Sequence, residues 1–172
     1  EYRFRAICHP SCDTKILAQF YGAKTIVRQL GNAKRLTCAS PEYLAQMGQP
    51  ETLEDLAGHR LVGMRSLTTG EIRPLDFVVD GNVQSLDLPM RVSVTGPESY
   101  RASTLLGLGL AQMPRFHIEG DLNNGKLVTV LNDWPPPTVP VSLVYPQSRQ
   151  LASRVRAFID WASAAFQDDR FM

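Results

Sequence analysis

The sequence predicts a mixed α/β fold, and three observations carry that reading. Short apolar segments with period-two alternation recur between segments with helical spacing over most of the chain, the pattern of packed α and β layers. Hydrophobic residues make up 44% and charged residues 20% of 172, which is globular composition and neither disordered nor fibrous. One strong hairpin signal, Asp80-Gly81 between two apolar runs, interrupts the alternation and makes the sheet mixed.

Taken in order, Tyr2–Ile7 alternates apolar or aromatic residues with Arg and reads as a strand, and Cys8–Asp13 reads as a loop. Thr14–Tyr21 places Ile16, Leu17 and Phe20 on one helical face before Gly22, and Thr25–Leu30 is a weaker strand. Arg35–Ala39 is a strand, and Ser40-Pro41-Glu42 opens a helix that Gly48 closes. The Ser hydroxyl can accept a free N–H, Pro41 has none to waste, and Glu42 favours the positive helix end. Thr52-Leu53-Glu54-Asp55 has the form of a capping box on a single turn that Gly58 ends.

Leu61–Met64, Leu75–Val79, Val83–Leu88 and Met90–Val94 are β, with Asp80-Gly81 supplying the positive φ angles of a tight turn. Thr95-Gly96-Pro97 introduces a helix over Glu98–Leu108, with Thr95 and Glu98 expected to cap it. Leu110–Met113 is a strand, Phe116–Leu122 a helix ending at Asn124-Gly125, and Lys126–Leu131 a strand. Trp134-Pro135-Pro136-Pro137 is a stiff connector to the strand Val139–Tyr145. In Leu151–Phe166, the residues Leu151, Val155, Phe158, Ile159, Ala162 and Phe166 form one apolar stripe at helical spacing.

Composition excludes several classes. A formal net charge of +1 lacks the clustered cationic surplus that grips nucleic acid by charge alone. No apolar run approaches the roughly 20 residues a bilayer-spanning helix needs, and Glu1–Arg5 lacks a signal-peptide layout. Three cysteines are too few for a disulfide scaffold and fit a reducing, cytoplasmic setting.

The chemistry-bearing clusters are sparse. Cys8-His9-Pro10-Ser11-Cys12 offers thiolates and an imidazole, but three ligands within five residues cannot easily surround a tetrahedral metal, and no second Cys/His pair lies nearby. No metal or other cofactor is expected. Ser11 or Cys12 could serve as a nucleophile with one of three His, yet no G-x-S-x-G elbow is present. Gly107-Leu108-Gly109 follows a helix and lacks the third glycine of a dinucleotide loop. Thr95–Ser99, between a strand and a helix, is either a capped helix start or a seat for carboxylate or phosphate oxygens. Arg65-Ser66 ends a strand with a cation and a hydroxyl, and Arg65 alone would be a solvated surface charge.

Several segments, in order, resemble the regulatory domain of LysR-type transcriptional regulators. Arg28–Gly31 followed by Arg35–Leu44 is similar to the stretch that enters the family's second subdomain, and Thr52–Arg60 resembles its P-x-x-P-x-D-L-x-x-H segment. Gly107–Pro114 is similar to its A-G-L-G-I-A-x-L-P run. Asp121-Leu122 through Leu131, Trp134, Val144-Tyr145-Pro146 and Arg154–Trp161 complete the pattern, so the resemblance covers about five-sixths of the chain, Thr25 to Phe166.

The resemblance implies a type II periplasmic-binding-protein-like architecture: two Rossmann-like lobes joined by two crossover strands, with a small-molecule effector between them. Residues 1–36 with 138–172 would form the first lobe and 37–137 the second. The crossovers would be near Leu36–Ala39 and Pro137–Val141. Two departures matter. The family's winged helix-turn-helix and linker helix are absent, so DNA would be reached only through a part not in this chain. The first lobe is also short, and Tyr2–Tyr21 corresponds either to its opening strand, loop and helix or to a diverged later part.

The implied effector contacts are Ser11, Cys12, Arg65, Ser66, Thr95, Gly96, Glu98 and Gln112. The family often has Asn-Asp where this chain has Thr95-Gly96, and Pro97 and Glu98 weaken the seat for an anion that Arg65 would strengthen. The implied mechanism is a population shift, in which an effector favours one closure and passes the change through a homodimer or tetramer. Catalysis is not expected. The rival readings are a solute-binding protein of the same architecture and a small α/β hydrolase-like enzyme.

Overall fold

The structure is a computed structural model that describes residues 5–8, 25–146 and 153–165. The chain divides into two units, one from Glu1–Lys34 with Thr138–Met172 and the other from Arg35–Pro137.

The first unit holds an antiparallel three-stranded sheet with β11 (Val139–Pro146) between β1 (Arg5–Cys8) and β2 (Thr25–Ala33). Its register pairs Ile7 with Ser142 and Tyr145 with Ile26. A bulge between Val141 and Ser142 leaves Leu30 unpaired beside Gly31. Helix α4 (Ser153–Ala165) lays Val155 and Ile159 against Leu143, Tyr145, Ile26 and Leu30. The apolar stripe expected on this helix is narrower than its spacing suggests. Val155, Ile159 and Ala162 are buried, whereas Phe158 is 39% exposed and its ring lies 5.7 Å from that of the more exposed Trp161. Phe158 and Trp161 lie at the exposed margin of the stripe. Leu151, Phe166, the loop carrying Ser11 and Cys12, and the expected helix Thr14–Tyr21 lie outside the described residues.

In the second unit, β3 (Arg35–Ala39) lies between β9 (Ala111–Pro114) and β10 (Val128–Thr129), all antiparallel. Strand β4 (Leu61–Arg65) runs parallel to β8 (Met90–Val94) and antiparallel to the short β5 (Ile72–Arg73). A parallel bridge between Leu61 and Leu110 joins the two groups. The join needs Gly109, because a Cβ there would stand 2.8 Å from the carbonyl oxygen of Arg60. A separate hairpin, β6 (Leu75–Val79) and β7 (Asn82–Leu86), turns at Asp80 (φ 49°) and Gly81 (φ 79°), as the Asp-Gly pair predicts.

Helix α1 (Pro41–Met47) begins as the sequence predicts: Ser40 Oγ accepts from the Tyr43 N–H at 3.2 Å, Pro41 opens the first turn, and Gly48 (φ 85°) ends it. The capping box at Thr52 is half formed. Asp55 accepts from the N–H groups of Thr52 and Glu51, and a 3₁₀ turn runs from Glu54 to Gly58. Two further helices follow, α2 (Pro97–Leu105) and α3 (Arg115–Asn123). The strand expected over Lys126–Leu131 shrinks to β10 because Leu131 turns to φ 55°, a left-handed conformation that a strand cannot hold. One core gathers Phe77, Leu75, Leu56, Leu61, Leu110 and Tyr43, and a second gathers Cys38, Val62, Tyr100, Met113, Ile118 and Leu127.

Candidate functional site

Parallel β4 and β8 end side by side, with Met64 opposite Val94, so the residues that follow each strand emerge at one edge of the sheet. This edge, the carboxyl ends of parallel strands, is where open α/β sheets hold ligands. It brings together Arg65 at the end of β4, Ser66 just beyond it, Thr95 and Gly96 in the turn into α2, and Glu98 in its first turn.

Each residue has a definite local task. The Arg65 guanidinium donates to the Gly70 carbonyl at 2.6 Å and to Ser93 Oγ on β8 at 3.4 Å, bracing the 66–71 turn against the neighbouring strand. Ser66 Oγ accepts from the N–H groups of Thr68 and Thr69, a Ser-type turn that leaves Leu67 83% exposed. Thr95 does not cap α2, contrary to its sequence context. Gly96, extended at φ −110° and ψ 145°, is the N-cap and no side chain accepts there. Pro97 at the first helical position restricts the residue before it to extended backbone, which sets the cap at Gly96 and leaves Thr95 one residue too early. The first-turn N–H groups of Glu98 and Ser99 therefore have no capping oxygen.

Glu98, also exposed, leans toward Arg101 on its own helix at 4.0 Å and toward His117 Nε2 on the next helix at 3.6 Å. Arg101 in turn forks onto the buried Asp121 with contacts of 2.5 and 2.7 Å, tying α2 to α3. The Asp121 interaction holds the Arg101 guanidinium above its ordinary range.

Gln112 lies away from this edge, buried in the middle of β9. Its amide bonds to Thr37, Arg35 and the backbone of Asp76, and its N–H donates to the Tyr100 hydroxyl at 3.1 Å. Burial pushes the Tyr100 hydroxyl up to about 12, and likewise the Cys38 thiol, with Asp121 adding to the latter. A thiol so held is a poor nucleophile at neutral pH. Among the described residues, no group of three or more His, Cys, Asp or Glu could hold a metal ion, and no helix is long and apolar enough to cross a membrane.

The sequence reading missed the Tyr43–His59 pair, which explains two residues of the Thr52–Arg60 segment. Tyr43 Oη lies 3.1 Å from His59 Nδ1 and accepts the Arg60 N–H at 2.9 Å, while Asp55 holds the turn between them. A histidine four residues beyond an aspartate that closes a turn was the available signal.

The profile of the LysR substrate binding domain matches residues 17–167. The chain belongs to that family. It is an effector-binding regulatory domain of the LysR type, and its fold is the type II periplasmic-binding-protein-like α/β fold. An uncharacterized HTH-type transcriptional regulator of Escherichia coli K12, YhjC, is 34% identical over 145 residues, covering 83% of this chain and 48% of its own. The HTH-type transcriptional regulator CrgA of Neisseria meningitidis is 30% identical over 138 residues, covering 78% and 44%. The chain thus spans about half the length of the relatives it matches. Among solved structures, the CrgA regulatory domain superposes with a TM-score of 0.74 at 24% identity, covering 95% of this chain and 74% of that one. The AphB regulatory domain of Vibrio vulnificus gives 0.68 at 26% identity, covering 94% and 75%.

Proposed function

We propose that this domain senses a small anionic metabolite and reports it mechanically, without transforming it. The two units, 1–34 with 138–172 and 35–137, would correspond to the two lobes of the regulatory domain that holds the effector. The observation that carries the anionic character is the shared edge of β4 and β8. It sets Arg65 beside a helix start whose Glu98 and Ser99 N–H groups have no capping oxygen, and both attract a carboxylate. Thr95 and Gly96 would line the seat, Ser66 would shape the turn beside it, and Ser11 and Cys12 would contribute from the first lobe. Glu98 opposes the anion, a cost reduced by its lean toward Arg101.

An effector that favours one closure shifts the population toward it, and one with equal affinity for both shifts nothing. The change would pass through a homodimer or tetramer to a winged helix-turn-helix elsewhere in the full-length cytoplasmic regulator. A thermal-shift series tests the seat. Small aromatic and aliphatic carboxylates should include some that raise the melting temperature, their uncharged amides should not, and Arg65→Met should abolish the gain. Failure of every carboxylate, or equal stabilisation by an acid and its amide, would overturn the anionic reading.

A further inference from the structure

The carboxamide of Gln112 uses all of its hydrogen-bonding capacity inside the second unit. Nε2 donates to the Asp76 carbonyl at 2.8 Å and to Thr37 Oγ1 at 3.2 Å, while Oε1 accepts from the Asp76 N–H at 3.0 Å and from Arg35 Nη2 at 3.1 Å. Two of these bonds go to one residue's N–H and C=O. That is the pattern of a hydrogen-bonded pair in an antiparallel ladder, with a side-chain amide standing in for a peptide group.

The place of this rung gives it consequence. Asp76 is on β6, whose backbone ladder, among the described residues, reaches only β7. A two-stranded hairpin is marginal by itself. Beyond its apolar anchors Leu75 and Phe77, the outer edge of β6 is held by Gln112 at Asp76 and by the Pro135 carbonyl, which accepts the Val78 N–H at 3.0 Å. The Asp76 carboxylate continues the network, accepting from Ser85 Oγ on β7 at 2.7 Å and lying 3.8 Å from Arg35 Nη1. Arg35, with its side chain only 10% exposed, is the first residue of the second unit, and both it and Thr37 belong to β3.

We propose that Gln112 is a positioning residue that latches the β6–β7 hairpin to β3, the strand by which the chain enters the second unit, so that the hairpin moves with that strand as one body. The coupling is internal to the second unit and holds whether or not an effector is bound. Gln112 has no donor or acceptor left over for a ligand while the latch is closed.

Peptide-resolved hydrogen exchange on the whole chain tests this, comparing wild type with Gln112→Met, which keeps length without the amide, and Gln112→Glu, which keeps only the acceptors for Asp76 N–H and Arg35. In Gln112→Met, exchange over residues 75–86 should quicken about tenfold, while residues 61–65 and 97–105 keep wild-type protection. Gln112→Glu should fall between. Wild-type protection of the hairpin in Gln112→Met overturns the proposal. So does acceleration spread evenly over the second unit, or a Glu variant no better protected than Met. If Gln112→Met does not fold, Gln112→Glu decides alone, localised acceleration supporting the latch and uniform or absent acceleration overturning it.

Discussion

Ser40 and Thr95 stand before two helices with similar signals and meet different fates. Both precede a proline-opened helix with an acidic first turn, yet only Ser40 immediately precedes its proline and caps, accepting the Tyr43 N–H. Replacing it by alanine should cost about 1 kcal/mol, read by urea unfolding, since the freed N–H is buried and gains no water in exchange. Local chemistry of this kind is legible in sequence because donor and acceptor lie three residues apart. Gln112 is not: its partners at positions 35, 37 and 76 come from elsewhere in the chain, and nothing in Ala111-Gln112-Met113 reveals them. Arg65 and Ser66 are intermediate cases, correctly placed at a strand end but with their bonds to Gly70, Ser93, Thr68 and Thr69 visible only in the fold.

Elements with self-contained signals match the sequence closely. Arg35–Ala39, Leu75–Val79 and Met90–Val94 have the bounds their alternation predicts, because flanking turns and caps stop them. Elements ended by tertiary demands do not, as the left-handed Leu131 and the rim position of Phe158 illustrate. The contact between α1 and the start of β4 has a pH signature. Burial lowers the His59 pKa below its ordinary 6.5 more than the Asp55 carboxylate raises it. The unfolded chain therefore takes up this proton at higher pH than the folded one. Stability from this site is complete above about pH 6.5 and declines as pH falls from there toward the lowered folded value. Melting temperatures between about pH 7.5 and 5 should show that decline, and His59→Gln should flatten it. The Tyr43 hydroxyl softens the penalty, since its single proton can turn from His59 Nδ1 to the Arg60 carbonyl 3.3 Å away.

For the whole molecule, near-neutrality conceals segregation. The first unit carries 10 Lys and Arg against 5 Asp and Glu, formally +5, whereas the second carries 8 against 12, formally −4, which together restore the +1 of the chain. Self-association that sets unlike units of two copies against each other gains from this imbalance, and salt screens it. Sedimentation at about 0.05 and 0.5 M salt should show weaker association at the higher value. An unchanged or strengthened association would mean that apolar contact dominates. Overall composition hid this, since a net charge is a sum and the unit boundaries are a property of the fold.

Gly109 has a consequence for how this chain can vary. Two backbones meet there with nothing between them, the space for a Cβ already taken by the main chain of Arg60, Leu61 and Val62. Every residue that could replace glycine is larger, so drift cannot test this position in small steps. The sheet of the second unit is stitched at a point where the alphabet has only one letter short enough.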